Sequence, residues 1–185
     1  MKTLLTALRL LVVLTLVTGG LYPLAVWAVG RLVFPHQAEG SLVVREGVVV
    51  GSARLAQDTA GYPRYFYPRP SAANFATVAS GASNQSWSSA ALAKSFAERR
   101  AAYPEGAAVP TDLITASGSG LDPDLTPAAV HLQADRVAAA RRLDSAQRAV
   151  LDELVARLTV GGQLGPARIN VLALNLALDA RFPGL

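Results

Sequence analysis

The chain has 185 residues and a formal charge of +4, with 51% hydrophobic residues, 16% charged residues and no cysteine. The missing cysteine excludes disulfides, zinc-thiolate sites, haem-thioether links and thiol nucleophiles. Three of the seventeen basic residues and none of the thirteen acids lie in residues 1–31, so the remainder is within one charge of neutral. No stripe of Lys and Arg interleaves with aromatics, which argues against a nucleic-acid surface.

In chain order, the first element is apolar. Leu10 to Val29 carries no charge and has the length needed to cross roughly 30 Å of hydrocarbon as a helix. This predicts a cytoplasmic N-terminus over residues 1–9, a transmembrane helix over 10–29, a linker over 30–40 and an extracytoplasmic domain over 41–185. Lys2 and Arg9 on one side, against Arg31 on the other, place the N-terminus inside. A cleaved signal peptide ending at Val26-Trp27-Ala28 is the competing reading. The apolar run is longer than a signal core of about 7–15 residues, and Tyr22 and Trp27 suit an interfacial belt. Gly19, Gly20 and Pro23 are tolerable in a membrane helix whose neighbours re-satisfy the backbone, and the small residues there permit close helix approach, although ordinary transmembrane composition explains them as well.

Beyond the linker, Ser41 to Ser52 places two β-branched runs around Arg45-Glu46-Gly47, the pattern of a β-hairpin. Tyr65-Phe66-Tyr67 reads as a short strand closed by Pro68-Arg69-Pro70. Ser71 to Ser89 is a long Ser/Ala/Asn/Gly loop, of a length that is usually functional or flexible. A helix follows from about Ser89 to Tyr103, then a strand over Val109 to Ala116 and a tight glycine loop over Ser117 to Asp124. Thr126-Pro127 is a helix start, with that helix reaching about Leu143. Asp144 to Gln147 is a capping box for a helix that continues to Val160 and stops at Gly161-Gly162. Asn170 to Leu178 reads as a helix capped by Asn170, although its alternating leucines leave a strand open. The fold class is α+β: one N-terminal transmembrane helix followed by a mixed α/β extracytoplasmic domain.

Chemistry-bearing motifs are scarce. No phosphate loop and no nucleophile elbow is present, and Lys2 and Lys94 are the only lysines. His36 and His131 are far apart, and Asp122 and Asp124 read as turn residues ahead of a helix, so no metal site is expected. The loops Ser80-Gly81-Ala82-Ser83-Asn84-Gln85 and Ser117-Gly118-Ser119-Gly120 offer amides and hydroxyls to an anion or a partner, or act as plain connectors. Arg69, between two prolines, is a rigidly placed cation able to pair with a carboxylate of its own domain or of a partner.

Several segments together carry a resemblance: YFYPRPSAANF (Tyr65 to Phe75), SGASNQSW (Ser80 to Trp87), VPTDLITASGSGLDPDLTPAAV (Val109 to Val130), QADRVAAARRL (Gln133 to Leu143) and ARINVLALNLALD (Ala167 to Asp179). In order and spacing, and with the N-terminal LTLVTGGLYPLAV, they resemble the C subunits of the bacterial Kdp potassium-transporting P-type ATPase. The resemblance implies a non-catalytic accessory subunit in the bacterial inner membrane. It implies three partners: a channel-like potassium-translocating subunit, a P-type ATPase subunit and a small single-helix subunit. It also implies a role in assembly and as a catalytic chaperone that raises the ATPase subunit's affinity for ATP. No cofactor is bound tightly on this reading, and ATP enters only in a transient ternary complex with the ATPase subunit.

The family's serine–glycine loop has the pattern S-G-G-S-N, likened to a nucleotide-sensing signature of ABC transporters. Ala82 replaces its second glycine, which is expected to strain a backbone that needs positive φ there. An outward-facing domain is also across the membrane from ATP, so any effect on ATP affinity is assigned to coupling through the membrane subunits, typically about 1–3 kcal/mol. Gly19, Gly20, Tyr22 and Pro23 are the candidate assembly residues. Arg69, Ser80, Gly81, Ser83, Asn84, Gln85, Gly118, Gly120, Asn170 and Asn175 are candidates for an interface or a nucleotide-linked loop. Two other classes compete: a tethered enzyme with a serine or carboxylate site, and a membrane-tethered solute-binding or sensing module.

Overall fold

The computed structural model describes residues 1–183. It divides into two units, Met1–Val50 and the chain from Gly51 onward, and each is described by itself.

In the first unit, α1 (Lys2–Leu16), a π-helical turn (Val17–Leu21) and α2 (Tyr22–Val33) run on as one helix of 32 residues. At about 1.5 Å per residue this exceeds the roughly 30 Å hydrocarbon thickness, so the charge-free stretch 10–29 lies well inside it. None of its residues is buried. The π turn has a local cause. Pro23 has no N–H and its ring crowds the carbonyl four residues back, which is that of Gly19. Glycines at 19 and 20 let the backbone widen there. The helix ends at Phe34, where φ −129° and ψ 55° leave the helical region. A further helical turn, α3 (Pro35–Ala38), follows, and Arg31 Nη1 pairs with Glu39 Oε1 at 2.7 Å across it. The segment read as a linker therefore contains a helix end and a helical turn.

The expected hairpin forms, with β1 (Leu42–Arg45) paired to β2 (Val48–Ser52). Both central turn residues have positive φ, Glu46 at 52° and Gly47 at 79°. This is the tight turn whose twist matches that of the strands.

The second unit is built on three helices: α6 (Pro127–Ala140), α7 (Ser145–Leu158) and α8 (Val171–Arg181). Thr126 Oγ1 accepts from the Ala129 N–H at 3.3 Å to cap α6. Asp144 and Gln147 bond each other's backbone N–H reciprocally at the start of α7. Asn170 Oδ1 accepts from the Ala173 N–H at 3.0 Å to cap α8. Such caps satisfy orphan donors at about 1 kcal/mol each. Helical periodicity selects the buried faces: Val130, Ala134, Val137 and Ala138 on α6, Leu151, Leu154 and Val155 on α7, and Val171, Leu174 and Leu178 on α8. The last spacing settles the ambiguity of the C-terminal leucines in favour of a helix. Fully burying each Leu or Val contributes about 1.5–3 kcal/mol. A two-residue sheet ties the chain together, with β3 (Asp124–Leu125) antiparallel to β4 (Ile169–Asn170).

Two sequence expectations fail here. Val109 to Ala116 is not a strand. Pro110 (φ −58°, ψ 145°) opens a single helical turn, α5 (Thr111–Ile114), because the Asp112 carboxylate reaches the Thr126 N–H at 2.8 Å and its hydroxyl at 2.9 Å. Tyr65-Phe66-Tyr67 begins in a bend at Tyr65 and forms no strand, because side-chain amides from α6 and α8 take the place of a neighbouring strand. The remaining helix, α4 (Ala90–Ala101), is capped by Ser89 as expected, and Arg99 Nη1 donates to the Ile114 carbonyl at 2.9 Å.

Candidate functional site

Two polar centres stand out in the second unit. The first is internal. Phe66 is wholly buried, and its backbone is clamped by Asn175: Phe66 N–H donates to Oδ1 at 2.8 Å and Nδ2 donates to Phe66 O at 3.0 Å. Gln133 treats Tyr67 alike, at 2.9 and 3.1 Å. Two carboxamides thus reproduce the donor–acceptor pair that a neighbouring strand would supply. Arg141 is buried beside them. Its Nη2 meets Asp179 Oδ1 at 2.7 Å and its Nε donates to the Arg64 carbonyl at 2.8 Å. The Tyr65 hydroxyl donates to Asp179 Oδ2 at 2.9 Å. Burial first, and then that hydrogen bond, raise the Tyr65 phenol above its usual value. Arg136 lies 3.8 Å from the Tyr67 ring centroid and is lowered by burial.

The second centre lies at the surface, where the two serine–glycine loops meet. The Ser119 carbonyl accepts from the Ser80 hydroxyl and from the Gly81 N–H, both at 2.9 Å. Ser117 N–H donates to the Pro70 carbonyl at 2.9 Å. Gly120 has φ +70°, and a Cβ there would stand 2.9 Å from the Gly81 carbonyl. Arg69 braces the same loop, with Nη1 on Asp122 Oδ2 at 3.0 Å and Nη2 on Thr115 Oγ1 at 3.2 Å. Asp124 follows, paired with Arg168 at 3.1 Å. Burial, then the Asp122 charge, raise the Asp124 acid against the pull of Arg168 and others.

Ser80, Gly81, Gly118, Gly120 and Arg69 are therefore brought to one place. Ser83, Asn84 and Gln85 are exposed beside it. Asn170 caps α8 and donates from Nδ2 to the Ala53 carbonyl at 2.9 Å, while Asn175 serves the internal clamp. Gly19 and Gly20 occupy the π turn with open space around them, and Tyr22 and Pro23 begin α2. The expected strain at Ala82 is absent: the positive φ of this loop falls on Asn84, at 51°, a residue whose short polar side chain tolerates it.

Sequence reasoning missed Gln133, Asp112, Arg136, Arg141 and Asp179. Gln133 was detectable as a lone carboxamide on the apolar stripe of α6, where an unpaired polar group would be costly. Among the described residues no cluster of His, Asp and Glu suits a metal ion. The leading donors of the serine–glycine loop, Ser80 O–H and Gly81 N–H, are turned onto the Ser119 carbonyl.

The class defined by these features is an α+β domain that follows one helix long and apolar enough to cross a membrane, with its polar side chains spent largely on holding its own backbone. The chain belongs to the KdpC family, described as the c chain of K+-transporting ATPase, whose model matches residues 4–180. It is similar to proteins named potassium-transporting ATPase KdpC subunit. That of Rhodospirillum rubrum is 50% identical over 193 residues, covering 99% of this chain and 98% of the relative. That of Sorangium cellulosum is 51% identical over 184 residues, with 94% and 95% covered. That of Cereibacter sphaeroides ATCC 17029 is 48% identical over 176 residues, again with 94% and 95% covered.

Proposed function

We propose that this chain is a non-catalytic accessory subunit of an ATP-driven potassium-uptake pump, and that it acts there in assembly and as a catalytic chaperone for ATP use. The observation that carries this reading is the family match, which runs from the membrane-length helix through α8. Its partners are a channel-like potassium-translocating subunit, a P-type ATPase subunit and a small single-helix subunit. The helix anchors it in the inner membrane with the N-terminus cytoplasmic and the domain over 41–185 outside. No residue of the helix is buried, so its apolar faces require lipid or partner helices. The small residues at Gly19 and Gly20 suit close packing against the latter. The chain holds no nucleotide of its own. ATP affinity changes through the ATPase subunit, and ion selection stays with the channel-like partner.

The test is potassium-stimulated ATP hydrolysis by the reconstituted pump with and without this chain. Omitting it should raise the KM for ATP by about 5-fold or more, the lower end of ordinary coupling between sites. An unchanged KM with full assembly would remove the chaperone role.

A further inference from the structure

The meeting point of the two serine–glycine loops is a cup of about 460 Å³, lined by Arg54, Ser80, Ser117, Gly118, Ser119 and Asp122, with Leu55, Leu121 and Pro123 as an apolar wall. Its floor, Ser117 and Leu121, is buried, while Arg54, Ser80, Gly118 and Ser119 on its rim are exposed. The loops are fixed by the Ser119 carbonyl, by Ser117 on Pro70 and by the Ala56 N–H on the Leu121 carbonyl at 2.9 Å. The cup is therefore formed in advance rather than assembled on binding, which lowers the ordering cost of occupying it.

Charge decides what fits. The nearby carboxylates have cations of their own: Asp122 is held by Arg69 and Asp124 by Arg168. The Arg54 guanidinium makes no hydrogen bond or ion pair among the described residues; its charge acts on Asp124 only through space, and less than that of Arg168. An exposed guanidinium with no direct partner, beside serine side chains and aliphatic carbon, suits a carboxylate on a short methylene stem. The open rim argues against a free metabolite, since small-molecule sites enclose most of their ligand. The long loop that contributes Ser80 also carries Val78, 98% exposed, and Trp87, 90% exposed. An Arg and an aromatic set among polar groups is the composition of interface anchors.

We infer that this cup is a docking socket for an Asp or Glu side chain presented by another polypeptide of the pump, with Arg54 as its charge partner and Trp87 and Val78 as apolar contacts from the adjoining loop. The inference rests on the pump-subunit reading.

The chain's lack of cysteine allows a direct test. Gly118→Cys places a thiol where a new Cβ meets no atom within 4 Å. Tagged full-length protein carrying it is labelled with a benzophenone maleimide in membranes that hold the whole pump, then irradiated. A second version with Ser83→Cys puts the label on the exposed neighbouring loop, in case a label at 118 fills the cup. The expected result is an adduct joining the tagged chain to a different pump chain at a segment containing Asp or Glu. Adding Arg54→Glu should lower its yield at least fivefold, and Arg54→Lys should leave it within twofold. No adduct at either position, an adduct only with lipid or with a second copy of this chain, or a yield indifferent to Arg54→Glu would overturn the socket. If the pump chains still co-purify in that event, only the socket falls. If they do not co-purify even with unlabelled wild type, the pump-subunit reading falls first.

Discussion

Replacing Asn175 by Leu keeps the volume of the side chain and removes both hydrogen bonds to Phe66, at 2.8 and 3.0 Å. Phe66 is wholly buried, so water cannot replace either bond. A buried unsatisfied backbone group costs about 1–3 kcal/mol, and two of them cost about 2–6 kcal/mol against a typical total of about 5–15. At about 4 °C per kcal/mol for a domain of this size, the midpoint should fall by about 8 °C or more. Tryptophan fluorescence is a poor probe here, because Trp87 is 90% exposed and Trp27 sits in the apolar helix. The assay is thermal unfolding of the full chain in detergent, followed by far-UV circular dichroism, with amide exchange at Phe66 read alongside. Exchange at Phe66 should speed up in Asn175→Leu under conditions where the core amides of α6 stay protected. A midpoint within 2 °C of wild type, with Phe66 still protected, would refute the idea that the carboxamide stands in for a strand.

Arg141→Met should destabilise by about 3–5 kcal/mol, the usual cost of stranding one partner of a buried ion pair. Adding Asp179→Leu should return part of that loss, as measured by urea unfolding. Gly120→Ala forces an L residue to φ +70° with its Cβ 2.9 Å from the Gly81 carbonyl. It should cost about 1–3 kcal/mol and hasten proteolytic nicking in the 71–89 loop; wild-type resistance would contradict the packing of the two loops. Asp124 is raised above its ordinary value, chiefly by burial. Folding therefore favours its protonated form, a contribution that is full below the ordinary Asp range and lost as pH rises through the raised value. Neutral Asp124→Asn should accordingly gain stability relative to wild type between about pH 3.5 and 7. The loss of its exposed pairing with Arg168 offsets little. A constant difference across that range would reverse the assignment.

The elements that sequence displayed are those with local causes. Thr126-Pro127, the Asp144–Gln147 box and Asn170 announce helices because capping uses neighbours within four residues, and all three caps form. The hairpin at Glu46-Gly47 and the uncharged apolar run are legible for the same reason. What stayed hidden depends on long-range partners. Whether Tyr65-Phe66-Tyr67 finds a strand or two carboxamides is decided by Gln133 and Asn175, 66 and 109 residues away along the chain. The helical turn at Thr111 likewise depends on Asp112 meeting Thr126, 14 residues on. In the candidate site, Arg69 and the serine–glycine loops were visible by composition. Their convergence on Ser119, and the place of Arg54 at the rim beside them, were not, because no pattern of spacing records which loops touch.

The central claim is that this chain works as a subunit of a potassium pump. The most direct test is to capture tagged full-length protein in mild detergent from membranes of potassium-starved cells and identify the chains that come with it. The account predicts a P-type ATPase chain and a channel-like chain in fixed proportion to the bait, with recovery reduced by the Gly19→Leu/Gly20→Leu variant. Abundant, folded protein recovered alone, from cells in which those two chains are present, would contradict it.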